Sequence, residues 1–275
     1  MPHDPTKPPT SYREFVAVTH PVDIMGRVNS EHWTGRLYLR HISPLFSMPL
    51  VRTRVTPNMI TGWFIIVGWC IGPALLIPGI WGPITMVLVS QLHGLIDCMD
   101  GEVARWKEQY SPAGPFLDSL GHFSAEGLIP VFLGLRAAGV CYGGPCAVGE
   151  AAPNLLWAVL GAATGMVVVY KKSISQLVQV SRAKAGLEIM KDSSELRELP
   201  KGRLRTLRRI AQCFPIQRIN HSVESTLLAL IAGIVGLYVG DALAFRWYVA
   251  ILLPLTVLFC LGLFIQAMAS GKLRK

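Results

Sequence analysis

The chain alternates long apolar stretches with short polar ones, and six of the apolar stretches approach the ~20 residues that a helix needs to cross a bilayer. They fall at about 58–79, 82–105, 115–138, 153–178, 222–240 and 247–269. The turn between the second and third holds Ser111-Pro112 and Gly114-Pro115. Pro115 suits the first turn of a helix, where its missing N–H costs nothing. Ahead of the spans, residues from about 22 to 53 mix Ile24, Met25, Trp33, Leu37 and Leu39 with Arg27, Arg36 and Arg40. That is too polar to span and suits an amphipathic helix lying on the cytoplasmic leaflet, with an irregular solvated arm as the alternative. Residues 1 to about 20 carry four prolines and no periodicity, and read as a loose tail. The pattern therefore predicts an all-α integral membrane protein. Residues 1–53 form the tail and interfacial segment, and residues 54–275 a six-helix membrane domain.

Composition supports this class. Hydrophobic residues make up 51% of the chain, charged ones 16%, and mean hydropathy is +0.42, which excludes an ordinary soluble domain. The net charge of +9 sits in short loops between apolar spans, so a nucleic-acid partner is not expected. Anionic lipid headgroups and an anionic substrate are. Arg52 and Arg54 precede the first span, Arg105 and Lys107 lie between the second and third, and residues 183–218 carry Lys201, Arg203, Arg205, Arg208 and Arg209. Lys272, Arg274 and Lys275 close the chain, whereas Pro78–Pro83 has no charge and Val239–Arg246 one of each sign. The positive-inside rule then places both termini and the loop after residue 105 in the cytoplasm of a multi-pass cell-membrane protein. No apolar core follows Met1, so the first span is expected to do the targeting. Of six cysteines, Cys141 and Cys146 close a turn on the outer side, where a disulfide can persist; the pairing stays open at this stage.

The chemistry lies where carboxylates interrupt the apolar pattern. Asp97, Asp100, Gly101 and Ala104 share one helical face at i, i+3, i+4 and i+7, and Gly114, Asp118 and His122 stack at intervals of four on the next helix. Ionisable groups in membrane helices are costly and mark functional sites. Two such faces turned together make a pocket of three carboxylates and an imidazole, a donor set for divalent cations that in turn hold phosphates.

These residues also resemble a family. D-x2-D-G-x2-A-R-x8-G-x3-D-x3-D is the signature of the CDP-alcohol phosphotransferase family, and Asp97, Asp100, Gly101, Ala104, Arg105, Gly114 and Asp118 match it. The last position departs, with His122 in place of Asp. The resemblance implies attack of an acceptor alcohol on the β-phosphorus of a CDP-alcohol such as CDP-diacylglycerol, with release of CMP, in the synthesis of phospholipids or related phosphodiesters. It implies a divalent cofactor, Mg2+ or Mn2+ in two copies, on Asp97, Asp100, Asp118 and His122. Gly101, Ala104, Arg105 and Gly114 would receive the nucleotide, together with Asn58 and Thr61 from Pro57-Asn58-Met59-Ile60-Thr61, which also reads as a plain helix start. It further implies a homodimer.

His122 can serve as metal ligand or as general base on the acceptor, since a neutral imidazole does both near neutral pH. Glu126, one turn on, is expected to hold its other ring nitrogen. His93 reads as second to the metal or as a packed interior residue, His221 as an acceptor contact, and His3, His20, His32 and His41 as solvated or interfacial. Tyr170-Lys171-Lys172 with Arg208, Arg209 and Arg218 would suit a phosphorylated acceptor, or else only anchor the topology. A small CDP-polyol donating to a lipid or glycan, a cation-binding transporter and an inactive scaffold are the competing functions.

Overall fold

The computed structural model describes residues 4–5, 7–21, 34–146, 153–188, 218–269, 271 and 273. Expectations resting on His3, Ile24, Met25, Arg27, His32, Trp33, Lys201, Arg203, Arg205, Arg208, Arg209, Lys272, Arg274 and Lys275 lie outside the described residues. The elements run α1 (Tyr12–Thr19), a π-helical turn (Gly35–Leu39), α2 (Arg40–Leu50), α3 (Pro57–Ala74), α4 (Trp81–Lys107) and α5 (Ala113–Ala137). A short ribbon of β1 (Val140–Cys141) and β2 (Gly144–Pro145) follows, then α6 (Leu155–Lys184), α7 (Ser222–Val239) and α8 (Asp241–Ala269). Each of the six apolar stretches is one helix. Of these, α6, α7 and α8 are long and apolar enough to cross a membrane. Charged side chains dilute two of the others: α4 carries Asp97, Asp100, Glu102, Arg105 and Lys107, and α5 carries Asp118, Glu126 and Arg136, whereas α3 carries none.

Two expectations are corrected. The stretch read as a loose tail contains α1, started by Ser11, whose hydroxyl accepts from Glu14 N, while Glu14 reaches back to Thr10 N at 2.8 Å. This resembles a capping box on Ser11-Tyr-Arg-Glu14, with the glutamate taking the N–H one residue ahead of the cap, and it nucleates the helix despite the flanking prolines. The loop expected between the last two spans, residues 239–246, is the single residue Gly240 at φ 100. Asp241 opens α8 directly, because its carboxylate is bound to Arg136 rather than to solvent.

The chain divides into two compact units, residues 1–71 with 87–125 and residues 72–86 with 126–275. In the first, Ile60, Phe64 and Ile65 of α3 pack on Ile96, Met99 and Val103 of α4. Phe15 of α1 is fully buried with its ring centroid 5.2 Å from that of Trp106. Lys107 closes α4 by donating to the carbonyls of Thr53 and Val55, each at 2.8 Å, and so ties down the segment ahead of α3. The next residue, Glu108, takes a left-handed conformation at φ 52 while Gln109 N bonds back to Ala104 O at 3.1 Å. This is a Schellman stop with glutamate where glycine is usual.

In the second unit, α6 and α8 meet through Ile174, Val178, Cys260 and Ala267. The contact of α5 with α6 is closer, because it is made by glycines: a methyl on Gly161 would lie 2.5 Å from Pro130 O and 2.6 Å from Gly134 Cα. Lipid gives helices no hydrophobic reason to associate, so backbone proximity of this kind carries the packing. Arg136 is fully buried and uses its whole fork. Nε and Nη2 bind the two oxygens of Asp241 at 2.7 and 2.8 Å, and Nη1 and Nη2 reach the carbonyls of Leu75, Ile77 and Gly79. Cys141 and Cys146 are joined by a disulfide across the ribbon. Among the described residues Cys70, Cys98 and Cys260 are not joined in disulfides.

Candidate metal centre

The candidate site lies within the first unit, on α3, α4 and α5. His122 Nε2 stands 3.5 Å from Asp97 Oδ1 and 3.5 Å from Asp118 Oδ1, joining a carboxylate of α4 to one of α5. One donor atom from each of Asp97, Asp118 and His122 lies within 4.8 Å of the others. Opposite ligands of a small hard cation stand about 4.2 Å apart when each bond is ~2.1 Å, so the three atoms can converge on one ion with little movement. The donor set, two carboxylates and an imidazole partly open to solvent, suits Mg2+ or Mn2+ better than a soft-metal site built on thiolates.

Asp100 is placed differently. Its Oδ2 accepts a hydrogen bond from Thr61 Oγ1 at 2.9 Å, tying the motif helix to the start of α3. It still feels the charges of Asp97 and Asp118. Three of the four expected ligands therefore converge on a point, and the fourth stands beside them in the grip of Thr61. Thr61 thus joins the site through Asp100, and Asn58 through the turn: its Nδ2 donates to Ser111 Oγ at 3.2 Å. A methyl on Gly114 would meet Asn58 Oδ1 at 3.8 Å, so these two expected nucleotide residues face each other.

Arg105 does not hang free into a loop. Its guanidinium lies back across Gly101, with Nη1 2.9 Å from where a side chain there would begin, and its Nε donates to Thr19 O at 2.5 Å. The face left bare by Gly101 is thus lined by a forked cation. Ala104 is half-buried in the same turn.

The histidine neighbours sort out. His93 is buried and stacks on Phe64 with centroids 4.0 Å apart; Phe64 in turn meets the His122 ring edge to face at 5.0 Å. A methyl on Gly121 would lie 2.3 Å from Phe64, so that glycine is what lets the ring in. Glu126, one turn after His122, has Oε2 2.8 Å from Lys172 Nζ and Oε1 3.2 Å from His221 Nδ1. Lys172, read as part of a phosphate-binding set, is thus paired with a buried carboxylate, which would otherwise be a costly lone charge. One expectation is corrected here. His20, expected to be solvated or interfacial, has a side chain only 5% exposed, with Nε2 2.9 Å from Glu102 Oε1. Sequence reasoning passed over Glu102, Thr19, Ser43 and Phe64. Glu102 could have been noticed as one more carboxylate in an apolar helix; the others carry no local signal.

A family model described as CDP-alcohol phosphatidyltransferase matches residues 54–191, half of the chain, and includes every candidate ligand. No curated protein matches the chain significantly.

Proposed function

The chain belongs to the CDP-alcohol phosphatidyltransferase family, and on that premise we propose that it transfers a substituted phosphate from a CDP-alcohol to an acceptor alcohol and releases CMP. The observation that carries this is the convergence of Asp97, Asp118 and His122 on one point. Those residues would hold a divalent cation, with Asp100 supplying a second position beside it. When bound, the cation offsets charge on the diphosphate and on the departing phosphate. CDP-diacylglycerol is the favoured donor, and a small CDP-polyol the alternative.

The chain's own groups do the rest. Gly101 and Gly114 keep two faces low, and Asn58 holds the turn that carries Gly114. Arg105 presents its fork over Gly101, where it can take two phosphate oxygens at once. His122 Nε2 has a single lone pair, so that atom either binds metal or accepts the acceptor's proton. Its distances to both carboxylates favour ligation in the resting enzyme. Where it accepts the proton, the adjacent carboxylates stabilise the imidazolium that forms. The pairing of Lys172 with Glu126 favours an acceptor recognised by hydroxyls over one recognised by a phosphate. We also assign six spans, an interfacial segment before them, cytoplasmic termini and site, and a homodimer, from the charge pattern and the family.

The test is CMP release from CDP-diacylglycerol and from small CDP-alcohols against a panel of acceptors, with Mg2+ and Mn2+ in parallel. Asp118→Asn is expected to lose at least about a hundredfold, since it removes one of three converging ligands. Metal binding with no CMP from any donor would make the protein a scaffold, and ion flux without nucleotide chemistry a transporter.

A further inference from the structure

The motif helix also holds a carboxylate that the reaction does not use. Glu102 is fully buried next to Gly101, with His20 Nε2 at 2.9 Å from its Oε1 and the Ser43 hydroxyl donating to the same oxygen. A buried pair of this kind is weak evidence for stability, because apolar side chains of similar volume usually serve as well. What it does specify is register: it fixes where the chain after α1 crosses α4. One residue earlier, at that crossing, Thr19 O takes the Nε of Arg105 at 2.5 Å. The other end of the segment is held by Trp106, whose Nε1 donates to Lys7 O at 3.2 Å and whose ring meets Phe15. Residues 7–20 are thus anchored on both sides of Arg105, by contacts to residues 102 and 106 of the motif helix.

We propose that this segment is a strap on the donor site, and that His20, held by Glu102, which Ser43 holds in turn, is a positioning residue that sets the Thr19 carbonyl and through it the reach of Arg105 over Gly101. The proposal rests on the reading of Arg105 as the diphosphate donor group. An arginine held beforehand in its binding rotamer is spared the ordering cost at the moment of binding. The strap should therefore govern donor affinity and leave turnover alone.

His20→Ala is expected to raise the donor KM about tenfold with kcat within about twofold of the parent. His20→Gln, which still offers an N–H to Glu102, should recover most of the loss. In an Arg105→Ala background His20→Ala should change KM by less than about twofold, since the group it positions is gone. A second readout needs no substrate: phenylglyoxal labelling of Arg105, followed by peptide mass spectrometry, should run several-fold faster in His20→Ala than in the parent. Where His20→Ala does not fold, Ser43→Ala carries the same comparison. Unchanged Arg105 labelling in a folded variant, or an equal KM effect with and without Arg105, overturns the strap. A parent enzyme that releases no CMP from any donor sinks the transferase reading instead, and labelling alone then decides this one.

Discussion

Arg136 offers the clearest quantitative test of how the second unit holds together. Replacing it with alanine strands the Asp241 carboxylate and the carbonyls of Leu75, Ile77 and Gly79 in a site where the guanidinium is fully buried. Two routes give the size of the loss. Hydrogen bonds inside membrane proteins average about 0.6 kcal/mol each, and Arg136 makes five, which gives about 3 kcal/mol. Removing one partner of a buried ion pair costs about 3–5 kcal/mol. The estimates meet near 3 kcal/mol, and at roughly 2–4 °C per kcal/mol for a chain of this size the melting temperature should fall by about 6–12 °C. Arg136→Lys should recover little, because an ammonium cannot fork onto both oxygens of Asp241 and reach three carbonyls as well. The assay is thermal unfolding in detergent of Arg136→Ala, Asp241→Ala and the double variant. Asp241→Ala should cost at least about 1 kcal/mol less in the absence of Arg136 than in its presence. A shift below about 2 °C for Arg136→Ala, or equal costs of Asp241→Ala in both backgrounds, would refute the account.

Three further outcomes are expected. His122→Asp should keep part of the CMP-releasing activity and shift preference from Mn2+ toward Mg2+, as a harder ligand does, whereas His122→Ala should lose nearly all; an alanine variant as fast as the parent removes His122 from the site. Glu108→Gly should raise stability by about 0.5–1 kcal/mol, because a non-glycine residue at φ 52 carries a conformational cost that glycine avoids; an unchanged melting temperature would show that the turn is not strained. Gly161→Ala should cost about 1–3 kcal/mol, since its methyl would press on Pro130 O at 2.5 Å, while Gly262→Ala, with nothing within 4 Å, should cost nothing. Equal melting shifts for the two would deny that close backbone contact holds α5 to α6.

What could be read from the chain was what neighbours in sequence decide. Asp97 and Asp100, and Asp118 and His122, are spaced three and four apart, so helix geometry alone puts each pair on one face, and the structure brings the two faces together at Asp97, Asp118 and His122. The six helices follow from runs of apolar side chains. Pairings across long separations were out of reach: His20 with Glu102 are 82 residues apart, Ser43 with Glu102 59, and Glu126 with His221 95. The error at residues 239–246 has the same root. Asp241 and Arg246 looked like loop charges because the cation that binds Asp241 lies on a distant helix. The helix α1 is a different case: its cap, Ser11 with Glu14, is local, yet four prolines precede it and the run carries no apolar period.

The pairing of Arg136 with Asp241 spans 105 residues, and this sets a timetable for biosynthesis. The guanidinium leaves the ribosome long before the aspartate that matches it, so the nascent chain carries that cation without its carboxylate until α8 is begun. Closure of the second unit around Arg136 therefore waits until residue 241 has been translated, and a chain terminated ahead of it would present quality-control proteases with a charge that lacks its carboxylate counterpart.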